Sequence, residues 1–185
     1  MPKKVSVSII IRSKNEERWI KPCFDAIKSQ TFNDFEIILV DNNSTDNTIK
    51  KVKKYNISKI LEINNYLPGK ALNTGIEASE GDYIVCLSAH CIPKNNQWLE
   101  NLVKAIKEDN KYAGVYGRQE PMSFSAPSDK RDLMLVFGLD KKIQLKDSFF
   151  HNANSIIRKS CWDLVPFDPK ITNIEDRIWA KKMLE

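Results

Sequence analysis

Gly81-Asp82-Tyr83-Ile84-Val85-Cys86-Leu87-Ser88-Ala89-His90-Cys91-Ile92-Pro93 is the stretch on which the fold turns. Tyr83 to Leu87 is an unbroken apolar run of strand length, the pattern of a parallel-sheet strand covered on both faces. The run stops at small and polar residues before Pro93. In open α/β sheets ligands bind just beyond the carboxyl ends of the central strands, so Ser88 and His90 stand where chemistry is usually done.

Working back from that strand, the same unit recurs. Val5 to Ile11 reads as a first buried strand, followed by the polar loop Arg12-Ser13-Lys14-Asn15. Ser13 and Glu16 have capping-box spacing and Ile20, Cys23, Phe24 and Ile27 recur at helical period, which predicts a helix from Glu16 to Lys28. Phe35 to Val40 is a second strand, then Asp41-Asn42-Asn43-Ser44-Thr45-Asp46 and a short helix to Tyr55; Ile57 to Ile63 is a third strand, with a helix over Lys70 to Ala78. Beyond Pro93, Trp98, Leu99, Leu102, Val103 and Ile106 mark another amphipathic helix. Four such steps in a row predict an α/β fold with a mostly parallel central sheet and helices on both faces.

After a strand at Tyr112 to Tyr116 the rhythm breaks. Gly117-Arg118-Gln119-Glu120-Pro121 opens an irregular segment with a helix at Asp129 to Phe137; Ala153 to Arg158 is a further strand and Lys159 to Leu164 a short helix. Glu175 to Leu184 is helical, capped by Asn173, with Ile178, Trp179 and Met183 buried. Trp162 is also expected in the core.

The 185 residues fit one domain by length, and their formal net charge of +5 is spread along the chain. With no interleaving of basic and aromatic residues, nucleic-acid binding is not expected, while attraction to anionic ligands or a membrane surface is compatible with the charge. Cys23, Cys86, Cys91 and Cys161 lack C-x-x-C spacing and are read as reduced thiols. The apolar run after Met1-Pro2-Lys3-Lys4 is too short for a signal peptide and no run approaches a membrane span, so a cytoplasmic chain is expected, with the inner membrane face as a place it could work. The last helix ends without a cap signal, as in a chain that continues.

Taken alone, Asp41 reads either as an Asx turn ahead of a helix or as a sheet-edge carboxylate for a nucleotide's base or ribose. No G-x-G-x-x-G follows the first strand, which disfavours a dehydrogenase. The ordered set Val7-Ser8-Ile9-Ile10-Ile11-Arg12-Ser13-Lys14-Asn15-Glu16-Glu17, Ile38-Leu39-Val40-Asp41-Asn42-Asn43-Ser44-Thr45-Asp46, Ala71-Leu72-Asn73-Thr74-Gly75-Ile76 and Gly81-Asp82-Tyr83-Ile84 resembles the family 2 glycosyltransferases with the GT-A fold. The resemblance runs from Val5 to Glu175-Asp176.

That resemblance implies one GT-A domain over residues 1–185, with a nucleotide-sugar-binding half at 1–116 and an acceptor-side half at 117–185. The base would lie near Ile11, Arg12, Ser13 and Asp41, with Glu16 at the pocket. Arg12 and Lys14 depart from the family's usual Pro and Tyr. Lys70 is either a donor-side cation or a solvated first-turn lysine. Ser88-Ala89-His90 stands where most relatives carry an Asp-x-Asp-like motif for a divalent cation, so dependence on Mn²⁺ or Mg²⁺ is in question. A Ser-x-His subset of the family is implied; His90 could ligate Mn²⁺ or hydrogen-bond the diphosphate directly. Glu175-Asp176 resembles the family's Glu-Asp motif, which makes Asp176 the base for the acceptor hydroxyl and Glu175 its neighbour; two acids in a first helical turn are the plainer alternative.

Arg118 would face the donor, and His151, Asn152 and Asn154 the acceptor, with core packing an equal competitor. The implied activity is inverting transfer from a nucleotide-diphosphate sugar to a glycan or lipid-linked acceptor in surface polysaccharide biosynthesis. UDP-sugars are favoured over dTDP- or GDP-sugars. The alternative is a nucleotide-sugar-binding module that has lost turnover.

Overall fold

A computed structural model describes residues 5–185; the expectation drawn from Met1 to Lys4 lies outside them. The α/β architecture is as expected: a six-stranded sheet in the order β3-β2-β1-β4-β6-β5. The buried run at its centre is β4 (Tyr83–Ser88), parallel to β1 (Val7–Ser13), which is parallel on its other side to β2 (Phe35–Asp41). β3 (Lys59–Glu62) continues the parallel set at one edge. On the other side β6 (Asn154–Arg158) runs antiparallel to β4, and β5 (Gly114–Tyr116) antiparallel to β6. β6 thus opposes the other strands, and its amino end arrives at the edge where they end.

Strand alternation divides the core into two layers. Ile9, Ile11, Leu39, Val85 and Leu87 pack with α1 (Ile20–Lys28) and α4 (Trp98–Lys107), and Val52 of α2 (Thr48–Val52) closes that layer. Ile10, Ile38, Val40, Ile84 and Cys86 pack with α3 (Pro68–Glu77), α6 (Lys159–Leu164) and α7 (Glu175–Leu184). Trp179 anchors α7: its ring lies 5.6 Å from those of Phe150 and Phe167, and its Nε1 donates to the Val165 carbonyl at 2.8 Å. Trp162 is buried as expected, whereas Ile178 and Met183 are only half-buried. The irregular segment holds α5 (Pro127–Phe137), whose Phe137 joins Tyr116 and Phe149 in an aromatic cluster.

The start of one helix and the cap of another differ from the sequence reading. α1 begins at Ile20, not Glu16, because the capping-box side chains are used elsewhere: Ser13 Oγ donates to Asp41 at 2.7 Å, and Glu16 bonds the His90 ring at 2.9 Å. α7 is preceded not by a capping Asn173 but by Ile174 in the left-handed region at φ 59°, a conformation that is uncommon for a β-branched residue.

Gly75 lets α3 lie against the sheet. A Cβ there would come within 2.4 Å of Ile10 Cγ2 and 3.0 Å of Val40 Cγ2. Helix propensity alone would favour Ala by about 1 kcal/mol, but overpacking a filled layer costs about 1–3 kcal/mol. Gly75→Ala is therefore expected to lower the urea midpoint, and an unchanged or raised midpoint would show that α3 is free to shift.

Candidate active site

The carboxyl ends of β1, β2 and β4 and the amino end of β6 meet at one edge of the sheet. Alternation sends neighbouring residues to different layers there. Ser13 and Asp41 share the α1 side, and buried Asp41 is fixed by three donors: Ser13 Oγ at 2.7 Å, Ser44 N at 2.7 Å and Ser44 Oγ at 2.6 Å. The Asx turn and the sheet-edge carboxylate are thus the same residue. A carboxylate has about four acceptor positions; Oδ1 holds two of these bonds and Oδ2 one, leaving Oδ2 able to accept another.

The loops after β1 and β2 are zipped together. Asn15 and Asn43 take left-handed conformations that asparagine tolerates, and Asn15 Oδ1 accepts Thr45 N at 2.8 Å while Ser44 Oγ accepts Asn15 N at 2.8 Å. Glu17 N donates to Asp46 at 2.9 Å. The pocket floor is built by side chains that the sequence shows only as a polar run.

Arg12 does not join the Asp41 side. It faces the α7 layer, where its Nη1 stands 3.6 Å from Glu175 Oε1. Its Nε is buried without a partner, and among the described residues no hydrogen bond from its guanidinium is formed. Ile11 is fully buried core, so its side chain offers no contact surface. Ser88 and Ala89 are buried too, their amides donating to Ala153 O at 3.1 Å and Arg12 O at 3.3 Å. His90 is more exposed, with Nδ1 2.9 Å from Glu16 Oε1.

On the facing side, Asp176 Oδ2 accepts Asn152 N at 3.1 Å, and its Oδ1 accepts Arg177 N at 2.8 Å. Glu175 is buried, and burial raises its carboxyl above the ordinary range against the opposing pull of Arg12. Two donors converge on His151 Nδ1, Gln119 Nε2 at 2.9 Å and Ala153 N at 3.3 Å. The ring is therefore neutral with its proton on Nε2, and burial lowers its pKa to match. Gln119 is the residue that sequence reasoning passed over, in favour of its neighbour.

Other expected site residues are occupied elsewhere. Arg118 pairs with Glu120, which also binds Lys94 at 2.5 Å. Asn154 lies on the α4 side, its Oδ1 accepting Trp98 Nε1 at 2.9 Å. Lys70 Nζ donates to Asn64 O at 3.0 Å. Burial pushes the thiols of Cys86 and Cys91 up to about 12 and about 11, which keeps them protonated and unsuited to metal binding.

The residues present do not fit a divalent cation of the Mg²⁺ or Mn²⁺ kind. Such ions take several oxygen ligands with carboxylates among them, and the β4 end offers a serine hydroxyl and an imidazole already bonded to Glu16, with the Arg12 cation alongside. Among the described residues no three His, Cys, Asp or Glu side chains gather as a cation site.

A family model described as Glycosyl transferase family 2 matches residues 8–164. Glycosyltransferase AglE of Haloferax volcanii is 36% identical over 107 residues, 54% of this chain and 35% of that protein. A dolichyl N-acetyl-alpha-D-glucosaminyl phosphate 3-beta-D-2,3-diacetamido-2,3-dideoxy-beta-D-glucuronosyltransferase of Methanococcus voltae is 34% identical over 124 residues, 60% of this chain and 38% of that one. The chain thus spans little more than a third of the length of these relatives. Among solved structures, TarS 1-349 of S. aureus in complex with UDP superposes with a TM-score of 0.77 at 20% identity, over 97% of this chain and 55% of that one. The mannosyltransferase PcManGT of Pyrobaculum calidifontis, in complex with GDP-Man and Mn²⁺, superposes with a TM-score of 0.76 at 20% identity, over 98% and 52%. The sheet and its helical layers are those of the GT-A glycosyltransferases.

The raised Glu175 carboxyl has a measurable consequence. The folded chain holds this proton more tightly than the unfolded chain, whose carboxyl titrates at its ordinary 4.5, so stability falls as pH rises above that value. Glu175→Gln cannot titrate. Urea midpoints taken from about pH 4 to about pH 7 should therefore show the wild type losing stability relative to Glu175→Gln. A difference that stays constant with pH would place Glu175 in contact with water.

Proposed function

The chain belongs to glycosyl transferase family 2, and we propose that it transfers a sugar from a nucleoside-diphosphate donor, with inversion, to a glycan or lipid-linked acceptor in surface polysaccharide assembly. The observation that carries this reading is the convergence at one sheet edge of a buried Asp41 with acceptor capacity to spare and an Asp176 carboxylate held at both oxygens across from it. Residues 1–116 form the donor half of one GT-A domain, with the acceptor half at 117–185.

Asp41 Oδ2 accepts a ring N–H of the base. Uracil, thymine and guanine have that donor, whereas adenine and cytosine lack it, which supports UDP-, dTDP- and GDP-sugars as donor class; likeness to TarS 1-349 in complex with UDP favours UDP-sugars first. Asp176 takes the proton of the acceptor hydroxyl as it attacks the anomeric carbon opposite the departing diphosphate. Asn152 holds Asp176 through its amide and reaches toward Glu175 with its side chain, Nδ2 to Oε1 at 3.5 Å. The neutral His151 presents Nε2–H as a donor to the acceptor. No step is routed through a metal, because the donor set at the β4 end does not fit one. Among the described residues no helix is long and apolar enough to cross a membrane, and a cytoplasmic site of action at the inner membrane face accords with the basic charge.

Asp176→Asn removes the base and leaves the donor pocket intact. Nucleoside-diphosphate release in the presence of acceptor should fall by about 10²–10⁴-fold, with donor affinity by calorimetry at the wild-type level. Full activity in the variant would dismiss Asp176 as the base. Donor binding without turnover in the wild-type full chain would favour a binding module.

A further inference from the structure

The β4 end poses a question of charge: a donor diphosphate brought there needs a cation, and the residues beside it do not make a metal site. We infer that Arg12 takes the place of the divalent cation, binding the donor diphosphate through its guanidinium so that this chain holds nucleoside diphosphates without metal. The inference rests on the donor reading of the preceding subsection.

Placement is the first ground. Arg12 is the register partner of Ser88 on the neighbouring strand, and both side chains face the α7 layer. Arg12 is thus beside the first residue of Ser88-Ala89-His90, the segment that ends the central strand. Its charge opposes the rise of the Cys86 and Cys91 thiols, which bracket that segment in the chain, and of the Glu175 carboxyl.

The second ground is what the guanidinium lacks. Arg12's side chain is only 12% exposed, yet the Glu175 oxygen at 3.6 Å is beyond hydrogen-bond range and the buried Nε has no partner. Buried polar groups are almost always satisfied, and an arginine left short of acceptors in a cleft is prepared for an anion. The planar fork suits two phosphate oxygens at once, with Nε and one Nη donating side by side.

The third ground is that the other cations which the sequence places toward the donor are engaged. Arg118 is neutralised by Glu120, Lys70 donates to Asn64 O, and Lys14 donates to Asn42 O at 3.2 Å. A metal ion at the β4 end would instead meet the fixed positive charge of Arg12, with Glu16 already bonded to His90 and Glu175 facing the arginine. Glu175, the acid facing Arg12, makes no hydrogen bond to it at 3.6 Å.

Calorimetric titration of the full chain with UDP, GDP and dTDP, each in EDTA and in Mn²⁺, tests the inference. The nucleotide that binds should do so with the same affinity in both, within about twofold. Arg12→Gln should weaken that diphosphate by about ten- to a hundredfold, with little change for the matching monophosphate, and Arg12→Lys should restore part of the loss; circular dichroism melts establish that both variants fold. An affinity that Mn²⁺ raises by about tenfold or more in the wild type, or that Arg12→Gln leaves intact, overturns the role given to Arg12 while the donor reading stands. If none of the diphosphates binds in either condition, the donor reading itself falls and this inference with it.

Discussion

Strand β1 is hydrogen-bonded along its length to β2 on one side and β4 on the other, and the site depends on that double pairing. The register sets Ser13 beside Asp41 and Arg12 beside Ser88. Parallel pairing makes the three strands end together, and the antiparallel β6 then delivers Asn152 to the same edge from the opposite direction. With Ile9, Ile10 and Ile11 all fully buried, β1 has no face on which a shifted register could be tolerated.

The apolar runs made this frame legible from sequence. Uninterrupted strands of Ile, Val and Leu separated by helical periodicity leave few arrangements open, and β1 to β4 run parallel as expected. Element ends were less legible, because they depend on partners distant in sequence. Ser13 and Glu16 carry the spacing of a capping box, but Asp41 and His90, far along the chain, offer their side chains better use in the folded molecule. The same holds for Asn154, whose strand parity turns it toward Trp98 on the α4 side and away from Asp176. Ile174 could not be anticipated at all, since nothing in its type suggests the left-handed backbone it adopts at the turn into α7.

The polar groups of the edge are graded by how completely they are satisfied. Asp41 has three donors and Asp176 two, which fixes both carboxylates in place without exhausting them. His151 receives two donors at one nitrogen and is thereby committed to a single tautomer. Arg12 stands at the other extreme, enclosed, with its Nε unbonded and the Glu175 carboxylate beyond hydrogen-bond range at 3.6 Å. A site already satisfied in every atom would have to break bonds to bind, and one satisfied nowhere would collapse or fill with water.

Adjacent residues in a strand serve different layers, and here that parity separates two kinds of recognition. Ser13 with Asp41 belongs to the α1 layer and has the character of a directional hydrogen-bond site. Arg12 with Ser88 belongs to the α7 layer and has the character of a charge site. Reading the loop Arg12-Ser13 as one contiguous base pocket therefore merges two functions that the pleat keeps apart. Strand parity puts the Arg12 guanidinium on the opposite face of the sheet from the Asp41 carboxylate, so the two side chains do not bond each other. It is Glu175, on Arg12's own side, that feels the charge, which opposes the rise that burial imposes on its carboxyl.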